Sequence, residues 1–212
     1  MAHVVEKKPK SVEEFLRIQF KSLLDSIGIR LHRFGLHPNT VTIFGLVGNF
    51  VGAYFLATGH IFIGGIIVLL MGPIDALDGA LARIRNDNSK FGAFVDSVTD
   101  RYSELIILGG LLIFYLRQAD WVACSAVYLA AAGSILVSYV KARAEALGFD
   151  AKVGILTRVE RYIVLAPALV IQQPLWGIWI IAVLANYTAL QRIWFVRKQA
   201  YAMLNETQKK ES

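Results

Sequence analysis

Six long apolar segments dominate this chain and restrict it to folds in which helices cross a lipid bilayer. Each segment is near the length of helix that crosses about 30 Å of hydrocarbon. Hydrophobic residues make up 56% of the 212 residues and charged residues only 18%, a balance typical of integral membrane proteins. We therefore predict an all-α integral membrane protein with six transmembrane helices, at residues 41–58, 61–82, 92–116, 121–140, 155–171 and 175–195.

The distribution of Lys and Arg predicts which side of the membrane each loop faces. Six spans leave both termini on the same side. Of the 22 Lys and Arg, only Arg117 falls in a loop on the opposite side. Because basic residues concentrate in cytoplasmic loops, we expect both termini in the cytoplasm and the protein in the plasma membrane. The first ten residues are polar and basic, so we expect no cleavable signal peptide.

The segment before the first span has the pattern of an amphipathic helix lying at the cytoplasmic membrane surface. Apolar residues recur at helical spacing from Phe15 to Phe34, with charged residues on the other faces. Ser11 and Glu14 form a capping box at its start, and Gly35 is a candidate stop. A helix packed on a soluble partner is the alternative. We divide the chain into a polar N-terminal tail (1–10), an amphipathic interfacial helix (11–36), a six-helix transmembrane catalytic domain (37–200) and a polar C-terminal tail (201–212).

Four aspartates lie inside apolar sequence at helical spacing. Asp75 and Asp78 are three residues apart, and Asp96 and Asp100 are four apart, so each pair shares one helix face. The polar turn at 85–90 makes the two helices antiparallel neighbours, and the four carboxylates should therefore meet. Ionisable groups at membrane depth are costly, which marks this cluster as a functional site. Oxygen ligands of this kind suit Mg²⁺ or Mn²⁺, and we expect two ions.

Ordinary salt bridges are the structural alternative for these acids. The segment from Asp75 to Asp100 contains five acids but only three bases, Arg83, Arg85 and Lys90. This shortage of bases favours the metal site. Two divalent ions on four carboxylates suit phosphoryl transfer, with one acid facing the acceptor hydroxyl as a base.

A second polar group lies at the predicted inner ends of the last three spans. Each base follows an apolar stretch, and together they would form a cationic pocket beside the aspartates. The alternative is that they anchor the helices at the membrane surface, the role we assign to Arg197 and Lys198. The pocket residues are Lys141, Arg158, Arg161 and Arg192.

The pattern D-x2-D-G-x2-A-R-x8-G-x3-D-x3-D, which begins at Asp75, resembles the signature of the CDP-alcohol phosphotransferase family. The resemblance covers about residues 30–200. Members of this family move the phosphoryl-lipid group of a CDP-linked alcohol onto a second alcohol and release CMP. The resemblance implies that Asp75, Asp78, Asp96 and Asp100 bind metal and that Asp100 is also the base. It further implies CDP-lipid contacts from Asn39, Thr40, Thr42, Gly79, Ala82, Arg83, Ser89 and Gly92.

Within that family, the segment K-A-R-A-E at 141–145, with Gly154 and R-x-x-R at 158–161, resembles the phosphatidylinositol-phosphate synthase branch. This implies inositol phosphate as acceptor, CDP-diacylglycerol or a CDP-linked archaeal lipid as donor, and a homodimer. Phosphatidylglycerophosphate synthesis from glycerol 3-phosphate remains an alternative. A divalent-cation transporter is the alternative from another class, although it would need acids along a continuous path. The bases form no soluble basic domain, so we expect no nucleic-acid partner.

Overall fold

The computed structural model describes residues 12–85 and 89–211, and all secondary structure in this part of the chain is helical. Ser11 of the predicted capping box lies outside the described residues. The helices are α1 (Val12–Arg33), α2 (Pro38–Ala57), α3 (Ile61–Ile84), α4 (Lys90–Arg117), α5 (Trp121–Ala146), α6 (Arg158–Val170) and α7 (Pro174–Glu211).

Four of these helices are long and apolar enough to cross a membrane: α2, α3, α5 and the Pro174–Asn205 part of α7. The other two predicted spans differ from these. Helix α4 has 28 residues, but Asp96, Asp100, Arg101 and Glu104 interrupt its apolar sequence. Helix α6 has only 13 residues, fewer than the roughly 20 that a helical span needs. Among the described residues, length and composition thus identify a helical membrane protein with four clear spans.

The start of α6 corrects the predicted span at 155–171, because residues 155–157 precede the helix. Gly154 has φ +143°, and a Cβ there would overlap the side chain of Thr188. The backbone N–H of Thr157 then donates to Glu160 Oε2 at 3.0 Å, as in a capping box. The helix therefore begins at Arg158, and this base lies in its first turn.

Close contacts between helices form the core of the molecule. Helix α2 packs on α3 and α4, while α5 packs on α7. Small residues allow the approach: a Cβ at Gly52 would lie 3.1 Å from the side chain of Val68, and one at Gly133 would lie 2.6 Å from Asn186 Nδ2. Asn186 itself donates to the carbonyl of Leu129 at 2.9 Å, which joins α7 to α5. These contacts hold the ends of α3, α4 and α6 together.

At the ends of the chain, the structure describes the predicted amphipathic helix and most of the predicted C-terminal tail, whereas the predicted N-terminal tail at 1–10 lies outside the described residues. Helix α1 ends where Gly35 adopts φ +75° and the N–H of Leu36 donates to Leu31 O at 3.2 Å, which confirms the predicted stop. A Cβ at Gly28 would lie 2.7 Å from Ile84 Cδ1, so α1 packs directly on the end of α3. Helix α7 continues through 201–211, the residues that we assigned to a polar tail.

Candidate active site

The two predicted pairs of aspartates are linked by Arg158, although α3 and α4 each pack mainly on α2 rather than on each other as the sequence predicted. Asp78 and Asp100 are 6% and 7% exposed, while Asp75 and Asp96 are half-buried. The charge of Asp96 acts on the carboxylates of Asp75, Asp78 and Asp100. Asp96 therefore lies within electrostatic reach of each of the other three acids.

The guanidinium of Arg158 lies between two of these acids. Its Nη2 pairs with Asp75 Oδ2, and its Nη1 lies 2.5 Å from Asp100 Oδ2. Arg101 adds a weaker contact to Asp100 at 3.5 Å. Among the described residues, no three His, Cys, Asp or Glu side chains stand as a ready-made metal site. Arg158 instead supplies the positive charge that offsets the repulsion between Asp75 and Asp100.

The acids still have the chemistry of a site for a hard divalent cation. Asp75, Asp78, Asp96 and Asp100 offer only carboxylate oxygens, the ligands that Mg²⁺ and Mn²⁺ prefer. A Cβ at Gly45 would lie 3.0 Å from Asp75 Oδ1, so glycine in α2 leaves the space that this carboxylate uses. The donor set fits a Mg²⁺ or Mn²⁺ site and gives no thiolate or imidazole to a softer metal.

The first turns of α2 and α4 meet beside the acids. Thr42 Oγ1 donates to Asp78 Oδ2 at 2.6 Å, and the N–H of Gly92 donates to Ser89 Oγ at 2.9 Å. A Cβ at Gly92 would lie 3.9 Å from Asn39 Oδ1. The structure thus brings Asn39, Ser89 and Gly92 together, with Thr42 bound to the aspartate cluster.

The end of α3 provides open surface next to this group. Among the described residues, and apart from the backbone of its own helix, a Cβ at Gly79 would have one neighbour within 4 Å, Arg83 Nη1 at 3.8 Å. Arg83 is exposed, and its Nη2 lies 3.8 Å from Asp25 of α1. Ala82 is half-buried beside it, whereas Thr40 is exposed in the first turn of α2. Gly79 therefore leaves room for a ligand within reach of Arg83.

Glu104 belongs to the same site, although the sequence analysis missed it. It lies one helical turn after Asp100 and accepts hydrogen bonds from Arg161 Nε at 2.6 Å and Nη2 at 2.8 Å. Arg161 is only 2% exposed. The signal was present in the sequence, because positions 92, 96, 100 and 104 repeat at a spacing of four and share one helix face.

In the predicted cationic pocket, two of the four bases are bound to other groups of the protein in this structure. Arg161 is neutralised by Glu104, and Arg192, which is 5% exposed, donates to the carbonyls of Val153 at 2.7 Å and Val137 at 2.6 Å. Buried guanidinium groups require such partners. Lys141 lies 4.0 Å from Glu145 and remains partly exposed. Arg158 is the predicted pocket base that contacts the aspartates.

A cavity of about 60 Å³ extends from the acids into the bundle. Its walls include Asp75, Asp100, Glu104, Arg158 and Tyr162. At roughly 30 Å³ per molecule, this space holds about two waters. The site therefore continues inward as a small chamber between α3, α4 and α6, with charged residues at the acids and apolar side chains such as Leu108 and Leu165 deeper in the bundle.

A helical membrane bundle that gathers four carboxylates and an arginine at one place is suited to phosphoryl transfer with divalent cations. The model of the CDP-alcohol phosphatidyltransferase family matches residues 35–204. The chain belongs to this family of enzymes, which excludes the transporter alternative.

Curated relatives and solved structures agree with this membership. The chain is 38% identical over 198 residues to a phosphatidylinositol phosphate synthase of Mycobacteroides abscessus, covering 88% of this chain and 89% of the relative. It is 35% identical over 185 residues to an archaetidylinositol phosphate synthase of Pyrococcus horikoshii, covering 87% and 96%.

Among solved structures, the fold is similar to the phosphatidylinositol phosphate synthase of Mycobacterium tuberculosis with CDP-DAG bound. The TM-score is 0.77 at 32% identity, over 82% of this chain and 94% of that one. A structure of the same mycobacterial enzyme in complex with manganese and citrate has the same TM-score and identity, over 82% of this chain and 88% of that one.

Proposed function

We propose that this protein transfers the phosphatidyl group of CDP-diacylglycerol, or of a CDP-linked archaeal lipid, to inositol phosphate and releases CMP. The observation that carries the proposal is the group of carboxylates with Arg158 beside Asp75 and Asp100. An acidic metal site would bind the diphosphate of a CDP-lipid, and the adjacent Arg158 would bind a phosphate on the acceptor. The names of the relatives support inositol phosphate as that acceptor.

Asp75, Asp78, Asp96 and Asp100 would hold two Mg²⁺ or Mn²⁺ ions. The all-oxygen donor set supports this assignment, as does the manganese complex of the mycobacterial relative. When bound, the ions would neutralise the diphosphate and polarise the CMP leaving group. Because Arg158 pairs with Asp75 and Asp100, it must release at least one of them before both can serve as metal ligands.

The CDP-lipid would lie along the first turns of α2 and α4 and the end of α3. Thr42 holds Asp78 through its hydroxyl, and the open surface at Gly79 gives the CDP moiety access to Arg83. This arrangement supports donor contacts from the whole predicted set of Asn39, Thr40, Thr42, Gly79, Ala82, Arg83, Ser89 and Gly92.

Asp100 would act as the base that takes the proton of the acceptor hydroxyl. It is buried at the mouth of the chamber, and Arg158 lies against it, so an acceptor phosphate on Arg158 brings its hydroxyl close to Asp100. We assign the acceptor phosphate to Arg158, with Lys141 and Arg192 at the same end of the bundle. Arg161 contributes indirectly, because Glu104 already binds it.

All six of helices α2 to α7 would cross the plasma membrane, with α1 in the interface and the site facing the cytoplasm. Shielding of the α4 acids within the bundle supports the crossing of this helix. Phe20, Leu23 and Ile29 are exposed on α1, which carries basic residues in its last turn, as in helices that lie on membranes.

Two copies of the chain would associate through the exposed face of α4 and α5. This face carries a groove of about 380 Å³ that includes Ser97, Arg101 and Ser138 between aromatic residues. Arg101 is 37% exposed there. Polar groups are costly against lipid but bind well across helix interfaces, which favours a protein partner on this face.

The experiment that tests the function is a transfer assay on purified protein, following CMP release from CDP-diacylglycerol. We expect turnover with inositol phosphate, little with free inositol or glycerol 3-phosphate, and loss of activity in chelator that Mg²⁺ or Mn²⁺ reverses. Asp100→Asn should reduce the rate by roughly 10²–10⁴-fold, the usual effect of removing a general base. Preference for glycerol 3-phosphate would instead support phosphatidylglycerophosphate synthesis, and full activity in excess chelator would contradict the metal site.

A further inference from the structure

Helices α3 and α6 pack antiparallel through two glycines of α3. A Cβ at Gly65 would lie 2.8 Å from the backbone carbonyl carbon of Leu169, and a Cβ at Gly72 would overlap the ring of Tyr162. Gly72 follows Gly65 by seven residues, and Tyr162 precedes Leu169 by seven. The same register therefore holds over two turns of each helix.

The next contact in this register is the one between Asp75 and Arg158. Asp75 lies three residues after Gly72, and Arg158 lies four before Tyr162, on the same face of α6. Tyr162 thus contacts α3 one helical turn away from Arg158. A shift of the Tyr162 ring against α3 should therefore also shift Arg158 relative to Asp75.

The hydroxyl of Tyr162 donates a hydrogen bond to the backbone of α3, and this bond fixes the position of the tyrosine side chain. Pro73 lies inside α3 and has no N–H, so the carbonyl of Leu69, four residues earlier, lacks its normal helical donor. The Tyr162 hydroxyl donates to that carbonyl at 2.7 Å and lies 3.1 Å from the carbonyl of Val68. Within a membrane, a carbonyl freed by proline must be satisfied by another group, and here a side chain of α6 does so.

We propose that Tyr162 is a positioning residue for acceptor recognition: its bond to the carbonyl freed by Pro73 sets the register of α6 and holds Arg158 beside Asp75. The inference rests on the proposed role of Arg158 as the base that binds the acceptor phosphate. Gly72 is part of the same device, because any side chain there would displace the tyrosine ring. Donor binding depends on α2, α4 and the end of α3, so it should be unaffected.

The test is the steady-state kinetics of Tyr162→Phe in the full-length protein, with CDP-diacylglycerol and inositol phosphate as substrates. Loss of one hydrogen bond should raise the KM for inositol phosphate by roughly threefold to tenfold. The KM for CDP-diacylglycerol should stay within about twofold, below the effect of one lost bond. Tyr128→Phe is the matched control, because Tyr128 is exposed on α5 and lies away from the cavity. It should change neither constant.

A second comparison separates positioning from simple stabilisation. Pro73→Ala restores an N–H at position 73, which can satisfy Leu69 within α3. In the Pro73→Ala background, Tyr162→Phe should no longer lower the unfolding temperature, but it should still raise the KM for inositol phosphate. If the pair of substitutions restores that KM as well, the hydroxyl serves only to satisfy the carbonyl and the inference is wrong.

Arg158→Ala, measured in the same assay, separates the role of Arg158 from the role of Tyr162. An unchanged KM for inositol phosphate in Arg158→Ala would contradict the proposed role of Arg158 itself. A raised KM in Arg158→Ala with an unchanged KM in Tyr162→Phe would contradict only the positioning role of Tyr162. Because the tyrosine-to-phenylalanine change keeps the ring packed on Gly72, and the Pro73→Ala background supplies the missing donor, a folded variant is available for the measurement.

Discussion

Arg158 has two roles that conflict with each other: it pairs with carboxylates that would bind metal, and we propose that it binds the acceptor phosphate. Its guanidinium pairs with Asp75 and Asp100, so it occupies space that a divalent cation would need. The same charge is the one that we propose to bind the acceptor phosphate. A cation at the carboxylates would therefore free the guanidinium for the acceptor, and metal binding and acceptor binding would support each other through this side chain.

This competition predicts opposite effects of Arg158→Ala on two ligands. Without substrates, Mn²⁺ should bind at least roughly tenfold more tightly, because hydrogen bonds to charged groups are worth about 1.5–3 kcal/mol each and would no longer have to be broken. The KM for inositol phosphate should rise in the same variant. Electron paramagnetic resonance titration of purified protein with Mn²⁺ measures the first effect.

Two further variants control for charge alone. Arg158→Lys keeps a positive charge but lacks the planar fork that bridges two carboxylates, so its Mn²⁺ affinity should fall between wild type and Arg158→Ala. Arg197→Ala removes an exposed base that stacks on Tyr201 at 5.4 Å, and it should change nothing. Equal Mn²⁺ affinity in wild type and Arg158→Ala would show that Arg158 does not compete with the metal.

At the scale of helices, the sequence predicted α3 and α4 far better than α6. The aspartates of α3 and α4 fall on common faces because their spacing is fixed by helix geometry, and no tertiary contact is needed to see it. Helix α6 depends on tertiary contacts. Its start is set by the turn at Gly154 against Thr188 and by the Thr157–Glu160 cap, whereas hydrophobicity alone continued the span to residue 155.

The bases of the predicted cationic pocket are a second case in which sequence patterns alone are not enough. A position at a helix end predicts that a base is near the site, but not which partner takes its charge. Glu104 binds Arg161, and two backbone carbonyls bind Arg192, through contacts 57, 39 and 55 residues apart in the chain. Only the packing of α4, α5, α6 and α7 decides that Arg158, rather than these two, contacts the aspartates.

The exposed face of α4 and α5, through which we propose that two copies associate, gives a prediction at the scale of helices. Ser138→Trp places a large side chain in the groove beside Arg101 and should convert a dimer to a monomer, because the groove of about 380 Å³ is where the partner would pack. Ser125→Trp, on an exposed position of the same helix, should leave the dimer intact. Light scattering in detergent should give twice the 23.5 kDa protomer mass for wild type. A monomeric wild type, or a dimeric Ser138→Trp, would contradict the interface.

For the whole molecule, the arrangement of charge predicts the side of the membrane on which catalysis occurs. The short turns after α4 and α6 contain almost no bases, while the opposite ends of the helices carry nearly all of them. Positive charge is retained in the cytoplasm during insertion, so the aspartates and the α5–α6 loop should face the cytoplasm. This orientation would also give the proposed site access to soluble inositol phosphate and would release CMP into the compartment where nucleotides are used.

Cysteine labelling in intact cells tests this orientation and the six crossings together. The native Cys124 is buried, so Cys124→Ala gives a background with no reactive thiol of its own. Gln118→Cys and Gln173→Cys, at exposed positions in the turns after α4 and α6, should react with an impermeant maleimide added outside. Lys152→Cys, exposed in the α5–α6 loop, should react only after the cells are permeabilised. Labelling of Lys152→Cys in intact cells would invert the topology, and protection of Gln173→Cys would mean that α6 and α7 do not both cross the membrane.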